Sequence, residues 1–252
     1  MMPNQPIWIE NTHVKTYETD SLNRWKPSAF FQTMEEVATH HAASFGFTFK
    51  NMFEDKMVWI LSRVKVQFDR FPLVNDEVTV QSWSRGVQQK LFFGRDFHFS
   101  DQSGELFARA STLWVLFNPE TRRIVFPQTL KGEYPSIPDK KVFDDPLDKI
   151  NSPERFEDRL KIMAGYSSID MMGHVNNARY IDWICDCFQQ ELFNGSALQQ
   201  IQINYVNEVK PGEELTLARG SYKDKNNTWA VQGINLTTQV KAFEAQLILT
   251  VL

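Results

Sequence analysis

The first half of the chain shows one ordered series of alternating and helical apolar patterns. Residues 8–18 alternate between apolar and polar, as in a β-strand. After Pro27, apolar residues recur at helical spacing as far as Gly46, which predicts a helix. Four more strands are predicted where Val, Phe, Trp and Thr are frequent and turn residues intervene: 58–71, 77–84, 90–100 and 106–118.

The second half repeats this order. A polar, proline-bearing stretch at 131–153 has little periodicity and is predicted to be a linker. The pattern then restarts, with an amphipathic helix predicted after the first of five strands. The strands are predicted at 159–167, 201–208, 214–222, 228–238 and 241–252, and the helix at 177–193.

The two halves also align locally. Residues 64–68 align with 201–205, which lie 137 positions later, whereas residues 17–20 align with 167–170, which lie 150 positions later. The first half therefore carries about 13 extra residues after its helix, around 47–57. We interpret the pattern as an internal duplication of one strand–helix–four-strand unit; chance similarity between short β segments is the alternative.

The order of elements predicts an α+β fold. An antiparallel sheet leaves one apolar face, and a long helix that follows the first strand can cover it. We predict an N-terminal unit at 1–135, a linker at 136–156 and a C-terminal unit at 157–252. Because a single unit exposes a sheet edge, the two are predicted to pair within the chain as an intramolecular pseudo-dimer.

Composition narrows the class of protein. The 252 residues are 42% hydrophobic, which suits a folded core, and the net charge of −4 gives no reason to expect a nucleic-acid partner. The two cysteines, Cys185 and Cys187, point apart on a helix, so a disulfide between them is not expected. No secretory signal or membrane span is recognised, and we predict a soluble, cytoplasmic protein.

The residues with the strongest chemical signal lie between a predicted strand and the second helix. Asp170, Gly173, His174, Asn176 and Asn177 occur within eight positions. Glycine permits a tight turn, and either asparagine suits a helix N-cap. A carboxylate near a histidine can orient its ring and stabilise its charged form. The positive end of the following helix can polarise a carbonyl group. The alternative is that these residues only cap the helix.

The motif Asp-x-x-Gly-His-Val-Asn-Asn-x-x-Tyr-x-x-Trp, which starts at Asp170, resembles the acyl-acyl carrier protein (acyl-ACP) thioesterases of bacteria and plant plastids. A second motif of that family, Tyr-x-x-Glu, matches residues 205–208, and the resemblance covers nearly the whole chain, including 33–41. It implies a double hot-dog fold and hydrolysis of fatty acyl-ACP thioesters. It also implies catalytic roles for Asp170, His174 and Glu208.

Two positions depart from the family pattern. Met172 stands where the family usually has asparagine, and Val209 stands where a cysteine often follows the glutamate. A thiol nucleophile at position 209 is therefore impossible in this chain. The two cysteines of the chain, Cys185 and Cys187, lie in the middle of the predicted helix, where we interpret them as packing residues.

The duplication predicts that only one half is catalytic. The position that corresponds to His174 is Arg24, and the one that corresponds to Glu208 is Phe71. Asp20 alone matches a member of the trio, Asp170. The N-terminal unit is therefore expected to complete the fold and shape an acyl pocket without catalytic residues.

The sequence suggests attack by water without an acyl-enzyme. Either Glu208 or His174 takes the proton, Asp170 holds the geometry, and backbone N–H groups at the helix start stabilise the oxyanion. Gly173, Asn176 and Asn177 are predicted to contact the substrate. The candidates for lining the acyl pocket are Phe30, Phe31, Met34, Met57, Trp59 and Leu61, and each could equally be an ordinary core residue. Of these, Phe30, Met34 and Trp59 are predicted to bind the substrate.

The expected partner is an acyl carrier protein bearing a fatty acyl chain. Because carrier proteins are acidic, basic residues are expected at the rim of the site. The candidates are Arg85, Lys90, Arg95, Arg179 and Lys210, and the alternative is that they only make the surface soluble. No cofactor is expected, and the five histidines show no metal-ligand spacing. Acyl chain length and association into a homodimer stay open.

Three other functions compete with this hypothesis. An acyl-CoA thioesterase would use the same chemistry on a different carrier. A non-catalytic acyl-binding protein would bind the thioester without turnover. The presence of Asp170, His174 and Glu208 argues against this alternative, whereas the methionine at position 172 leaves room for it. A dehydratase of the same fold also pairs a histidine with an acid, and it would remove water from a 3-hydroxyacyl substrate.

Overall fold

The computed structural model describes residues 5–132 and 134–250. The starting residues of the predicted first unit and the last two of the predicted final strand, 251 and 252, lie outside the described residues. The chain divides into two compact units: one takes residues up to Thr16 and Gln32–Leu147, the other takes Tyr17–Phe31 and everything from Asp148 onward. The predicted boundaries at 1–135, 136–156 and 157–252 stay a prediction.

The first compact unit holds an antiparallel sheet of strand order β1-β3-β4-β5-β2, with β6 paired to β5. Helix α1 begins within the segment assigned to the other unit and continues here. The elements are β1 (Ile7–His13), α1 (Pro27–Ser44), α2 (Phe49–Glu54), β2 (Val58–Phe68), β3 (Glu77–Gln88), β4 (Phe92–Ser100), β5 (Leu106–Asn118) and β6 (Arg123–Val125).

The second compact unit repeats the arrangement. Its antiparallel strands follow the order β7-β9-β10-β11-β8, which is the order of the first unit shifted along the chain. The predicted duplication of one structural unit is thereby confirmed. The elements are β7 (Glu157–Met163), α3 (Asn177–Asp186), α4 (Gln189–Phe193), β8 (Leu198–Tyr205), β9 (Glu214–Ser221), β10 (Thr228–Asn235) and β11 (Val240–Leu249).

Two details of the helices were not predicted. The helix predicted at 177–193 is two helices, because the chain turns at Cys187 and Phe188. Arg219 Nη1 donates to the Cys187 carbonyl at 3.0 Å, which satisfies a carbonyl at the end of α3. Helix α2 lies in the extra residues that distinguish the first half from the second, and Thr48 caps it by accepting from the Asn51 N–H.

Helix α1 has the apolar face that its sequence predicts. Phe30, Phe31, Met34, Val37 and Ala38 are buried at helical spacing. One turn further, His41 is also completely buried and contacts two strands of the first unit, β1 and β4. Its ring stacks on Trp8 of β1, and its Nδ1 is 2.8 Å from Nη1 of Arg95, which in turn donates to Ser82 Oγ.

Helix α3 packs on the second sheet through Tyr180. Its buried ring makes edge contacts with Tyr205 of β8 and Phe243 of β11. These contacts bury the middle of the helix and hold its first turn at the end of β8. The loop that carries Asp170 and His174 comes directly before this turn. None of the helices in the described residues is both long and apolar enough to cross a membrane.

Glycine is required at position 233, where β10 passes close to Phe243. A Cβ there would lie 2.2 Å from the buried Phe243 ring. We expect Gly233→Ala to lower the free energy of unfolding by about 1–3 kcal/mol, measured from the urea midpoint. Gly165→Ala is the control, because nothing lies within 4 Å of its Cβ position. Equal midpoints for the two variants would contradict the close-approach explanation.

Candidate active site

The loop between β7 and α3 is held by its own hydrogen bonds. The Asp170 N–H donates to the His174 carbonyl at 2.8 Å, and Asp170 Oδ1 accepts from the N–H of Met172 at 2.8 Å and of His174 at 3.4 Å. Gly173 has φ of +78°, a conformation that glycine adopts without strain. The carboxylate thus fixes the loop that presents the imidazole.

The second motif lies beside this loop. Val175 N–H donates to the Val209 carbonyl at 2.9 Å, which joins the residue after His174 to the residue after Glu208. As a result, His174 Nε2 lies 3.2 Å from Glu208 Oε2, and each side chain is 32% exposed. The pair is within hydrogen-bond distance and accessible to a substrate.

The pairing corrects one sequence-based expectation. The side chain expected to orient the imidazole was Asp170, but its hydrogen bonds go to backbone N–H groups, and the carboxylate at the ring is that of Glu208. The reason is local geometry: four residues of separation close a turn, which brings the carboxylate to the His174 backbone. The role of Asp170 in holding the catalytic geometry stays a prediction.

Asn176 caps the start of α3. Its Oδ1 accepts from the Ala178 N–H at 3.0 Å. The Arg179 N–H donates to the Asn176 carbonyl at 3.0 Å. These two N–H groups are engaged within the cap, and the stabilisation of an oxyanion by N–H groups at the helix start stays a prediction. Asn177 is also tied locally, because its carbonyl accepts from the Tyr205 hydroxyl at 3.0 Å.

Tyr180 is a residue of the site that sequence reasoning did not assign. Burial raises the pKa of its hydroxyl, and the carboxylates of Asp170, Glu213 and Glu208 raise it further. Tyr180 therefore stays protonated at neutral pH. Tyr180 is part of the Asp-x-x-Gly-His-Val-Asn-Asn-x-x-Tyr-x-x-Trp motif, but the motif alone did not indicate what the tyrosine does.

Sequence comparison decides the family. The description "Acyl-ACP thioesterase N-terminal domain" matches residues 7–129, and "Acyl-ACP thioesterase C-terminal domain" matches residues 152–245. The chain belongs to the acyl-ACP thioesterase family. Its described fold is similar to that of an acyl-ACP thioesterase from Bacteroides thetaiotaomicron, with a TM-score of 0.81 and 25% identity over 97% of this chain and 98% of that one. The expected fold class, α+β with two tandem hot-dog units, is confirmed.

Curated plant members of the acyl-ACP thioesterase family are also similar. Oleoyl-acyl carrier protein thioesterase 1, chloroplastic, of Arabidopsis thaliana is 26% identical over 217 residues, which cover 78% of this chain and 59% of that protein. Dodecanoyl-[acyl-carrier-protein] hydrolase, chloroplastic, of Cinnamomum camphora is 27% identical over 82% of this chain and 57% of that protein. The chain thus matches little more than half the length of these relatives.

The corresponding loop of the first repeat lacks the family's histidine. Asp20 Oδ1 accepts from the N–H of Leu22 and of Arg24, as Asp170 does with Met172 and His174. The Arg24 guanidinium instead donates to Asp20 Oδ2 at 2.8 Å and to the Ser196 carbonyl at 3.2 Å, just after α4. The loop keeps the backbone hydrogen bonds of the motif, but Arg24 replaces the histidine and its guanidinium only holds neighbouring segments together.

The residues selected for the acyl pocket are buried to different degrees. Phe30 packs against Trp25, and Met34 is buried in α1. Trp59 is half-buried against a cluster that includes Met52 and Phe93, and its Nε1 has no hydrogen-bond partner among the described residues. A cavity of about 320 Å³ in the first unit is lined by other residues: Phe45, Gly46, Phe47, Asn51, Met52, Glu54, Asp55, Leu130 and Lys131. The pocket assignment of Phe30, Met34 and Trp59 stays a prediction.

One of the basic rim candidates is wrong. Arg95 is only 3% exposed, and its guanidinium donates to Ser82 Oγ and to the Tyr134 hydroxyl. Lys210 fits better, because its Nζ lies 3.9 Å from Glu208 Oε1 and its side chain is exposed. Arg179 pairs with Asp182 on α3.

The cysteines are free and unsuited to nucleophilic chemistry. Burial raises the pKa of both thiols, that of Cys187 to about 12. A protonated thiol is a poor nucleophile, in agreement with the packing interpretation. Within residues 5–132 and 134–250, no cluster of three or more histidine, cysteine or acidic side chains could hold a metal ion.

Proposed function

We propose that this member of the family hydrolyses fatty acyl-ACP thioesters to free fatty acid and carrier protein. The observation that carries the proposal is the pair formed by His174 Nε2 and Glu208 Oε2, 3.2 Å apart and partly exposed at the end of β8. An imidazole and a carboxylate in this arrangement can remove a proton from water at neutral pH.

The proposed reaction is a direct attack by water. The pair of His174 and Glu208 takes a proton as the water oxygen forms a bond to the thioester carbonyl carbon. The carbon–sulfur bond then breaks, and the sulfur of the carrier's arm leaves and receives the proton. Asp170 acts through the backbone of the loop, and the positive end of α3 favours the negative charge that develops on the carbonyl oxygen.

Chemistry through a covalent acyl-enzyme is disfavoured. Such a mechanism needs an activated nucleophile next to the histidine, and Val209 occupies the position where the family often carries cysteine. The two thiols of the chain lie on α3 and at its end, with raised pKa values. Water is therefore the nucleophile in the proposal.

The carrier can be identified by direct comparison. We expect the same acyl group to be hydrolysed with a higher kcat/KM on the carrier protein than on coenzyme A. The reason is that a protein carrier offers a protein surface for recognition beyond the acylated arm, whereas coenzyme A offers a nucleotide in its place. The measurement is a panel of acyl lengths on both carriers, read as thiol released.

Equal or better hydrolysis on coenzyme A would favour the acyl-CoA alternative. Tight binding of the acylated carrier without turnover would instead favour a non-catalytic binding protein. Gly173, Asn176 and Asn177 are proposed to lie against the substrate, and the first unit to form the acyl pocket. A cytoplasmic location is supported by the two free cysteines.

A further inference from the structure

The turn that joins β8 to β9 carries Glu208 and is fastened by a second acidic side chain, Glu213. Glu213 Oε2 accepts from the Lys210 N–H at 2.8 Å and from Asn235 Nδ2 at 2.8 Å. The Glu213 N–H closes the same turn by donating to the Lys210 carbonyl at 3.1 Å. One carboxylate oxygen therefore connects the turn to the end of β10.

Asn235 is a rigid anchor for this carboxylate. It is 1% exposed, and its Oδ1 accepts from the N–H of Thr237 at 2.9 Å and of Thr238 at 3.1 Å. These two bonds fix the amide so that its Nδ2 points to Glu213. Because a buried amide with all of these partners has one orientation, it holds Glu213 in one position.

The fastening acts close to the reacting pair. Lys210 N–H, held by Glu213, follows directly after Val209, whose carbonyl accepts from the Val175 N–H next to His174. The peptide group between Val209 and Lys210, just after Glu208, is therefore held by the histidine loop through its carbonyl and by Glu213 through its N–H. Loss of the Glu213 bond would release one of these two restraints.

We propose that Glu213 is a positioning residue that sets the distance between Glu208 and His174. The proposal rests on the proposed function, since it assigns to Glu213 a role in that same site. Glu213 does not take the proton; it holds the turn from which Glu208 reaches the imidazole. A displacement of about 1 Å at a reacting group can lower a rate by roughly 100-fold.

The first repeat offers a matched control at Asp76. Asp76 Oδ2 accepts from the Leu73 N–H at 2.9 Å, as Glu213 does from Lys210, and the Asp76 N–H donates back to the Leu73 carbonyl at 3.0 Å. The same turn thus exists in both units, but Phe71 occupies the position of Glu208 in the first. Loss of the bond at Asp76 disturbs an equivalent turn that carries no catalytic carboxylate.

The test compares kcat and KM for acyl-ACP hydrolysis in full-length variants, with the Tm of each. We expect Glu213→Ala to lower kcat roughly 10- to 100-fold with little change in KM. Glu213→Gln should stay within about threefold of the wild-type kcat, because its amide oxygen can accept both bonds. Asp76→Ala should keep kcat within about twofold. Glu213→Met, similar in length but without a strong acceptor, replaces the alanine variant if that chain does not fold.

The outcomes separate the two proposals. Wild-type kcat in folded Glu213→Ala, an equal loss in Asp76→Ala, or a loss in Glu213→Gln as large as in Glu213→Ala overturns the positioning role. The last result would mean that the charge of Glu213 acts, not its position. In each of these cases the proposed function still holds if the wild-type chain hydrolyses acyl-ACP and the Glu208→Gln variant does not. No turnover by the wild-type chain overturns both.

Discussion

Replacement of Glu208 by glutamine is expected to lower kcat for acyl-ACP hydrolysis by roughly 10²- to 10⁴-fold. Glutamine keeps the size of the side chain and can still accept from His174 Nε2, but it can neither take a proton nor stabilise an imidazolium. The chain should stay folded, because partly exposed ion pairs contribute about 0–1 kcal/mol to stability. The measurement is steady-state hydrolysis on one acylated carrier, with the Tm recorded for each variant.

The matched control makes the same chemical change elsewhere in the second unit. Glu157 is an exposed carboxylate on β7 that pairs with Arg159 at 2.8 Å, and Glu157→Gln should keep the wild-type kcat. His174→Ala should cost about as much as Glu208→Gln, and the double variant little more, because the two residues act as one unit. Wild-type activity in folded Glu208→Gln would remove this residue from the mechanism.

The second prediction concerns acid stability and the buried His41. Arg95 can only donate hydrogen bonds, so His41 Nδ1 accepts from it and the Nε2–H donates to the Gln5 carbonyl at 3.0 Å. Burial, then the Arg95 charge, lowers the pKa of His41 to about 4 from an ordinary value of 6.5. The unfolded chain therefore binds the proton first as the pH falls. The stabilisation from neutral His41 is complete above pH 6.5 and is lost towards pH 4.

The expected loss is on the order of 3 kcal/mol between pH 7 and pH 4, measured as the difference in unfolding free energy between wild type and His41→Gln. Glutamine can make both hydrogen bonds but does not titrate. The comparison with this variant is needed because burial raises the pKa of Asp96, and this makes the stability change with pH in the opposite direction. Asp96 is present in both chains, so its contribution cancels in the difference.

The control for the acid-stability prediction is Thr39→Gln. Thr39 is exposed on α1, so this variant introduces the same side chain near His41 without removing a titratable group, and it should keep the wild-type pH dependence. Parallel curves for wild type and His41→Gln across this pH range would contradict the account of the buried histidine.

Much of the fold could be predicted because its elements carry strong local patterns. The spacing of Phe30, Met34, Val37 and His41 predicted α1, and local alignment predicted the duplication that the equal strand orders confirm. The break after α3 was not predicted from the sequence. The Cys187 carbonyl at the break accepts from Arg219, and a contact to a residue so distant in sequence leaves no local pattern.

The candidate site was predictable in its residues but not in its contacts. The two motifs named His174 and Glu208, and the Val175–Val209 bond explains why they lie together. The sequence suggested that Asp170 could orient the imidazole, but its carboxylate binds backbone N–H groups instead. Residue spacing does not say whether a carboxylate turns to a backbone or to a side chain. Arg95 was mistaken for a surface charge because its neutral partners come from other elements.

The most direct test of the central claim is a time course of thiol and fatty acid released from one purified acyl carrier protein. It compares the wild-type chain with the double variant His174→Ala, Glu208→Gln. The account predicts equal amounts of both products from the wild-type chain, and release at the spontaneous rate from the folded double variant. Release by the double variant at the wild-type rate, or no release by the wild-type chain, would contradict it.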